Sequence, residues 1–135
     1  MNLAVTMPNP EMLRSVPLFS DLDQKELVAV AQTMRERRFG EGDTVTREGT
    51  GGAGFFVIAD GHAEVSVDGE PRGTLGPGDF FGEVALITGA ERTATIVART
   101  DLICYGLTPW DFRPLVEGNP SIAWKLLQSL AKKLH

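Results

Sequence analysis

Cysteine is almost absent from this 135-residue chain: Cys104 is the only one, which excludes an internal disulfide and a Cys-rich zinc site. Histidine is nearly as scarce. With His62 and His135 alone, the chain cannot assemble a multi-histidine metal centre. Basic residues are in deficit, 13 Lys and Arg against 18 Asp and Glu, for a formal net charge of −5. Such a chain is poorly suited to nucleic acid, where affinity comes mainly from neutralised phosphates. No apolar run approaches the roughly 18 residues of a membrane-spanning helix. The first ten residues also lack the basic start and long apolar stretch of a signal peptide. A soluble, cytoplasmic, reducing-compartment protein is expected, with no nucleic-acid or membrane partner for this chain.

Hydrophobic residues make up 42% and charged residues 23%, ordinary globular values that argue against disorder. Fifteen Gly and eight Pro point to many turns between short strands. The hydrophobic period divides the chain, read as a single domain over 1–135, into three zones. Over about 10–34 the pattern is helical. Ser20-Asp21-Leu22-Asp23 offers a capping box, and Leu27, Val28, Ala31 and Met34 recur at helical spacing. Over about 35–107, Gly-containing turns alternate with short runs such as Phe55–Ile58 and Ala63–Val67, the spacing of an antiparallel sandwich or small barrel. Asp68-Gly69 reads as a two-residue hairpin turn, and further strands are expected at Thr93–Ala98 and Leu102–Leu107. Over about 108–134 the pattern is helical again. Thr108-Pro109 and Asn119-Pro120 each set a capping side chain before a proline, and Ile122, Leu126, Leu127, Leu130 and Leu134 form one apolar stripe.

Gly49-Thr50-Gly51-Gly52-Ala53-Gly54 matches the dinucleotide fingerprint in form. The physics of that motif needs a helix next, whose N-terminus holds the pyrophosphate. Here Phe55-Phe56-Val57-Ile58 follows and reads as strand. The glycines are a strand connection.

Gly78 to Ala98 carries the chemistry. Glu83–Ile87 is too short for a free-standing helix but suits one capped turn inside a sheet protein. Its first N–H groups need acceptors, and Gly82 lets a ligand approach the backbone. Arg92, expected on the strand returning beneath, brings a planar fork able to hold two phosphate oxygens. Glu83 supplies an acceptor for hydroxyls. Together they ask for a ligand carrying a phosphate and a sugar diol. Other polar residues are assigned no chemistry: Asp79 is a turn residue, His62 a surface strand start, and Cys104 part of the core.

Phe81-Gly82-Glu83-Val84-Ala85-Leu86, a short spacer, and Arg92-Thr93-Ala94 resemble the phosphate-binding cassette of the cyclic nucleotide-binding domain family. Gly42-Asp43, Glu48-Gly49, Gly61 and Gly78-Asp79-Phe80 are similar too, so the likeness covers about residues 10–134. It implies a mainly β fold, an antiparallel β-roll or jelly-roll barrel with N-terminal helices, a short cassette helix and C-terminal helices. It also implies that Arg92 pairs with the cyclic phosphate and Glu83 accepts from the ribose 2′-OH. Backbone N–H groups around Ala85 and Thr93 would complete the phosphate cage, Gly82 would lie against the ribose, and Phe81, Val84 and Ala94 would belong to the same site. Two departures from the family pattern are Glu91, where many members have Pro, and Thr93, where kinase regulatory subunits favour Ala. Thr93 leaves adenine and guanine both open, with cyclic AMP favoured over cyclic GMP.

The expected function is therefore regulatory rather than enzymatic. A 3′,5′-cyclic nucleotide is the ligand, no cofactor is needed, and the C-terminal helix is repositioned to report occupancy to a second copy or a downstream effector. The alternative is a ligand-free relative acting as an interaction module. A metal enzyme of the small β-barrel type lacks its ligands here. A DNA-binding helix pair lies nowhere within these residues, so the chain is a stand-alone sensor or a piece of a longer protein.

Overall fold

The computed structural model describes residues 7–49, 54–89 and 92–134. Thr50 to Ala53, Ala90, Glu91, His135 and the first six positions lie outside the described residues, as do the side chains of Val84 and Lys133. The chain opens with helix α1 (Pro10–Arg14), a one-turn 3₁₀ helix (Pro17–Phe19) and helix α2 (Gln24–Thr33). The capping box expected at Ser20 forms three residues later. Asp23 accepts from the Glu26 N–H, and Glu26 reaches back to the Asp23 N–H. Ser20 instead closes the 3₁₀ turn, its hydroxyl donating to the Pro17 carbonyl at 2.9 Å. Val28 is only half-buried, and Val30 joins Leu27, Ala31 and Met34 in the core.

Among the described residues eight strands follow: β1 (Arg35–Phe39), β2 (Thr44–Thr46), β3 (Phe55–Asp60), β4 (Ala63–Val67), β5 (Glu70–Leu75), β6 (Phe80–Phe81), β7 (Thr95–Ala98) and β8 (Leu102–Leu107). They form two antiparallel four-stranded sheets, ordered β1-β8-β3-β6 and β2-β7-β4-β5, the architecture of a β-roll. The β4–β5 turn is the expected one. Asp68 (φ 53°) and Gly69 (φ 79°) both take positive φ, which matches the twist of the flanking strands. Strand β7 begins at Thr95 rather than Thr93, so Arg92, Thr93 and Ala94 form a bend ahead of the sheet.

Alternation along β3 separates two cores. Phe56 and Ile58 face the roll interior with Ile96, Ala98, Leu102 and Cys104. Phe55 and Val57 face the helices with Leu13, Phe19, Leu27, Phe112, Ile122 and Leu126. Burial pushes the Cys104 thiol up to about 11, against the positive charge of Arg37, so Cys104 is an inert core residue.

The chain closes with α4 (Pro109–Glu117) and α5 (Pro120–Lys133). Thr108 caps α4 as expected, accepting from the Asp111 N–H. Asn119 does not cap α5. Its amide turns back to donate to the Leu115 carbonyl at 2.7 Å, sealing the end of α4, and Pro120 alone opens the next helix. The apolar stripe of α5 divides as well: Ile122 and Leu126 are buried, whereas Leu127 and Leu134 are exposed on the outer face with Trp124. No helix among the described residues is long and apolar enough to cross a membrane.

Candidate functional site

Between β6 and α3 (Glu83–Thr88) the backbone turns at Gly82, whose φ of 90° is left-handed. A Cβ there would overlap the Gly54 carbonyl oxygen and stand 2.6 Å from Arg92 Nη1. Two independent constraints therefore demand glycine at this position, backbone conformation and lack of space. The pairing of Phe56 with Phe81 and of Val57 with Phe80 fixes where this turn sits against the sheet.

A cavity of about 300 Å3 opens there, at the lower end of the roughly 300–1,000 Å3 typical of small-molecule sites. Glu83, Arg92, Thr93 and Thr46 bring polar side chains to it, and Phe80, Phe81, Ala85, Ala94 and Ile96 are its apolar lining, with Gly82 at the turn. The cassette residues named from the sequence thus meet on one cavity, except Val84, whose side chain lies outside the described residues. Thr46 and Ile96 were not identified from the sequence. Ile96, four positions after Arg92, could have been found by extending the motif along its strand. Thr46 arrives from β2 by sheet pairing and has no local signal.

Arg92 is half-buried and anchored. Its Nη2 donates to the Gly54 carbonyl at 2.7 Å, while its own carbonyl accepts from the Gly49 N–H at 2.9 Å. Burial lowers the pKa of this guanidinium from its ordinary value, yet an arginine keeps its proton at neutral pH. The bend around it is stitched to neighbouring elements: Thr46 Oγ1 donates to the Ala94 carbonyl, and the Glu48 N–H donates to Thr95 Oγ1. Glu83 Oε2 is buried, so the carboxylate is held within the site rather than in solvent. The arrangement sets a fixed cation and a fixed acceptor around a small-residue floor, with aromatic faces alongside. It has neither a nucleophile–base pair nor a metal-ligand set among the described lining residues.

The two phenylalanines of β6 stand on the seam between the cores. Phe80 packs with Phe55, ring centroids 6.0 Å apart, on the helical side; Phe81 stacks on Phe56 at 5.3 Å inside the roll. Both cores therefore reach the cavity wall.

Comparison with known proteins points to one family. The family model for the cyclic nucleotide-binding domain matches residues 36–119. A cyclic nucleotide-gated potassium channel of Rhizobium etli is 36% identical over 115 residues, 85% of this chain and 32% of the channel. The N-terminal domain of a Streptomyces coelicolor transcriptional regulator superposes with a TM-score of 0.84 at 31% identity, covering 91% of both chains. The regulatory domain of Toxoplasma gondii protein kinase A, solved with cyclic AMP, gives a TM-score of 0.70 at 33% identity over 78% of this chain and 42% of that one. The chain spans about a third of the length of the curated relatives it matches.

Proposed function

The chain belongs to the cyclic nucleotide-binding domain family, a regulatory ligand-binding module, and on that premise we propose that its cavity takes a 3′,5′-cyclic nucleotide, cyclic AMP in preference to cyclic GMP, and that occupancy repositions α5. One observation carries the proposal: Glu83 and Arg92, nine positions apart, line the same cavity as the Gly82 turn that immediately precedes Glu83. Arg92 would grip the cyclic phosphate through its planar fork, and Glu83 would accept from the ribose 2′-OH. Backbone N–H groups near Ala85 and Thr93 would share the phosphate, with Gly82 against the ribose. Phe81, Ala94 and Ile96 offer the apolar surface a base requires.

The preference for adenine is supported by the Toxoplasma regulatory domain solved with cyclic AMP. The exposed Thr93 hydroxyl at the cavity is the group that a guanine would use. Communication with α5 has a packed route. Leu86 of the cassette helix shares one core with Phe112 of α4 and with Ile122 and Leu126 of α5. A ligand that draws α3 inward changes what these residues pack against, and it can move α5 only as far as its differential affinity for the two arrangements allows. The outer face of α5, with Trp124, Leu127 and Leu134 exposed, is where a second copy or a downstream effector would read the change.

Calorimetric titration with cyclic AMP and cyclic GMP tests binding and base choice together. Saturable heat with both, and the smaller Kd for cyclic AMP, is the expected result. Absence of heat with either nucleotide overturns the ligand-binding reading and leaves an interaction module.

A further inference from the structure

Arg37 stands on β1, at the opposite edge of its sheet from the cavity, three strand spacings or roughly 14 Å from β6. As an edge-strand residue Arg37 is exposed to solvent. Here its guanidinium carbon lies 5.6 Å from the centre of the Phe39 ring and 5.9 Å from that of Phe56. Phe56 in turn stacks on Phe81, with an interplanar angle of 27°, and Phe81 lines the cavity. The chain of contacts depends on one gap. Gly106 of β8 lies between β1 and β3, paired with both Arg35 and Phe56, and a Cβ there would come within 2.9 Å of Phe56 Cε1. The missing side chain lets the Phe56 ring lie across β8 and reach Arg37.

We infer that Arg37 is a positioning residue for the base of the bound nucleotide, acting through Phe56 to hold the Phe81 ring as a fixed stacking platform. The inference rests on the cyclic nucleotide reading of the cavity. A ligand whose phosphate occupies Arg92 must lay its remaining atoms on the apolar lining, and Phe81 is a ring of that lining. Phe81 belongs to a two-residue edge strand and is only half-buried, so β6 alone gives it little restraint. Its ring is steadied by the face of Phe56, whose orientation is set by the cation and by the T-shaped contact with Phe39 at 6.4 Å. The charge of Arg37 is felt inside the roll, where it opposes the burial that raises the Cys104 thiol. A cation over an aromatic face is attracted by the ring quadrupole, and the planar guanidinium spans two rings where a Lys ammonium would engage one.

A double-mutant cycle tests this. Titrate wild type, Arg37→Met, Phe81→Leu and the double variant with cyclic AMP by calorimetry, and repeat wild type and Arg37→Met with cyclic UMP. Arg37→Met, which keeps an apolar stem but no charge, is expected to weaken cyclic AMP binding about 2–5-fold. The loss with the smaller pyrimidine should be less, and Arg37→Lys should recover part of the affinity. In the double variant the two losses should fail to multiply, because removing the platform removes what Arg37 positions. An unchanged Kd for Arg37→Met, an equal loss for both bases, or losses that multiply in the double variant overturns the inference while leaving nucleotide binding intact. A wild-type chain that takes up neither nucleotide overturns the functional reading, and this inference with it.

Discussion

The guanidinium of Arg92 is joined to the carbonyl of Gly54, 38 positions earlier, by a 2.7 Å hydrogen bond that passes beside Gly82. A backbone oxygen thus occupies one donor of the fork and aims the rest. The Gly49 N–H holds the Arg92 carbonyl from the other side, so the connection between β2 and β3 brackets this residue at both of its ends. An arginine held in this way loses little freedom when an anion arrives.

Replacing Arg92 by Ala is expected to reduce cyclic nucleotide affinity tens- to hundreds-fold or more. Each charge-assisted hydrogen bond removed is worth about 1.5–3 kcal/mol. Calorimetric titration reads the change directly, and an unaltered Kd would refute the assignment of phosphate recognition to this side chain.

Gly82→Ala should abolish binding and lower the melting temperature as well. The new methyl meets the Gly54 carbonyl and Arg92 Nη1, on the guanidinium whose Nη2 is bonded to that carbonyl, and φ of 90° is strained for alanine. A strained left-handed residue alone costs on the order of 1 kcal/mol, and steric displacement adds to it. Gly69→Ala, in open space at a similarly positive φ, is the control: stability should fall while affinity holds.

Stability in acid is expected to turn on Glu26. Burial pushes its carboxyl up, but hydrogen bonds from Lys125 Nζ, the Asp23 N–H and Ser121 Oγ outweigh burial and bring its pKa down to about 2. A folded-state pKa below the ordinary value means that the stabilisation is complete above pH of about 4.5 and disappears as pH falls from there toward 2. Glu26→Gln should therefore lower stability at pH 7, on the order of 1–3 kcal/mol, and show a flatter denaturation profile between pH 5 and about 2. Coincident acid profiles for the two proteins would remove Glu26 from this role.

The same contacts constrain how α5 moves. Lys125 and Ser121 tie it to Glu26 of α2, and Lys132 pairs with Asp21 at 2.8 Å, so displacement of α5 must break these bonds or carry α2 along. Hydrogen exchange of residues 119–134 should change on adding cyclic AMP. In a Trp110→Phe background the emission of the exposed Trp124 should shift with it. Exchange and emission that ignore the nucleotide would rule out the proposed repositioning, though not binding.

The strand-rich middle, the Asp68-Gly69 hairpin and the short helix after Gly82 were legible because each depends on neighbours in the chain: side-chain alternation, φ preference, a turn residue. The capping sites were harder. Ser20, Asp23 and Asn119 are all competent caps, and which one acts depends on where packing starts the helix. The split of the α5 stripe was also out of reach, since 3.6-residue periodicity marks apolar positions and not which of them meets a partner.

Order along the chain was enough to specify the cassette, with Glu83 and Arg92 at a fixed offset after Gly82, a glycine that no other residue could replace. Only the folded sheets could decide what surrounds it: Gly54 under the guanidinium, Thr46 and Ile96 on the walls, and Arg37 reaching through Phe56 toward Phe81. Local geometry follows from covalent structure and short-range hydrogen bonds. Contacts between residues tens of positions apart are set by strand register and by which face of each element is buried, and these are properties of the whole fold.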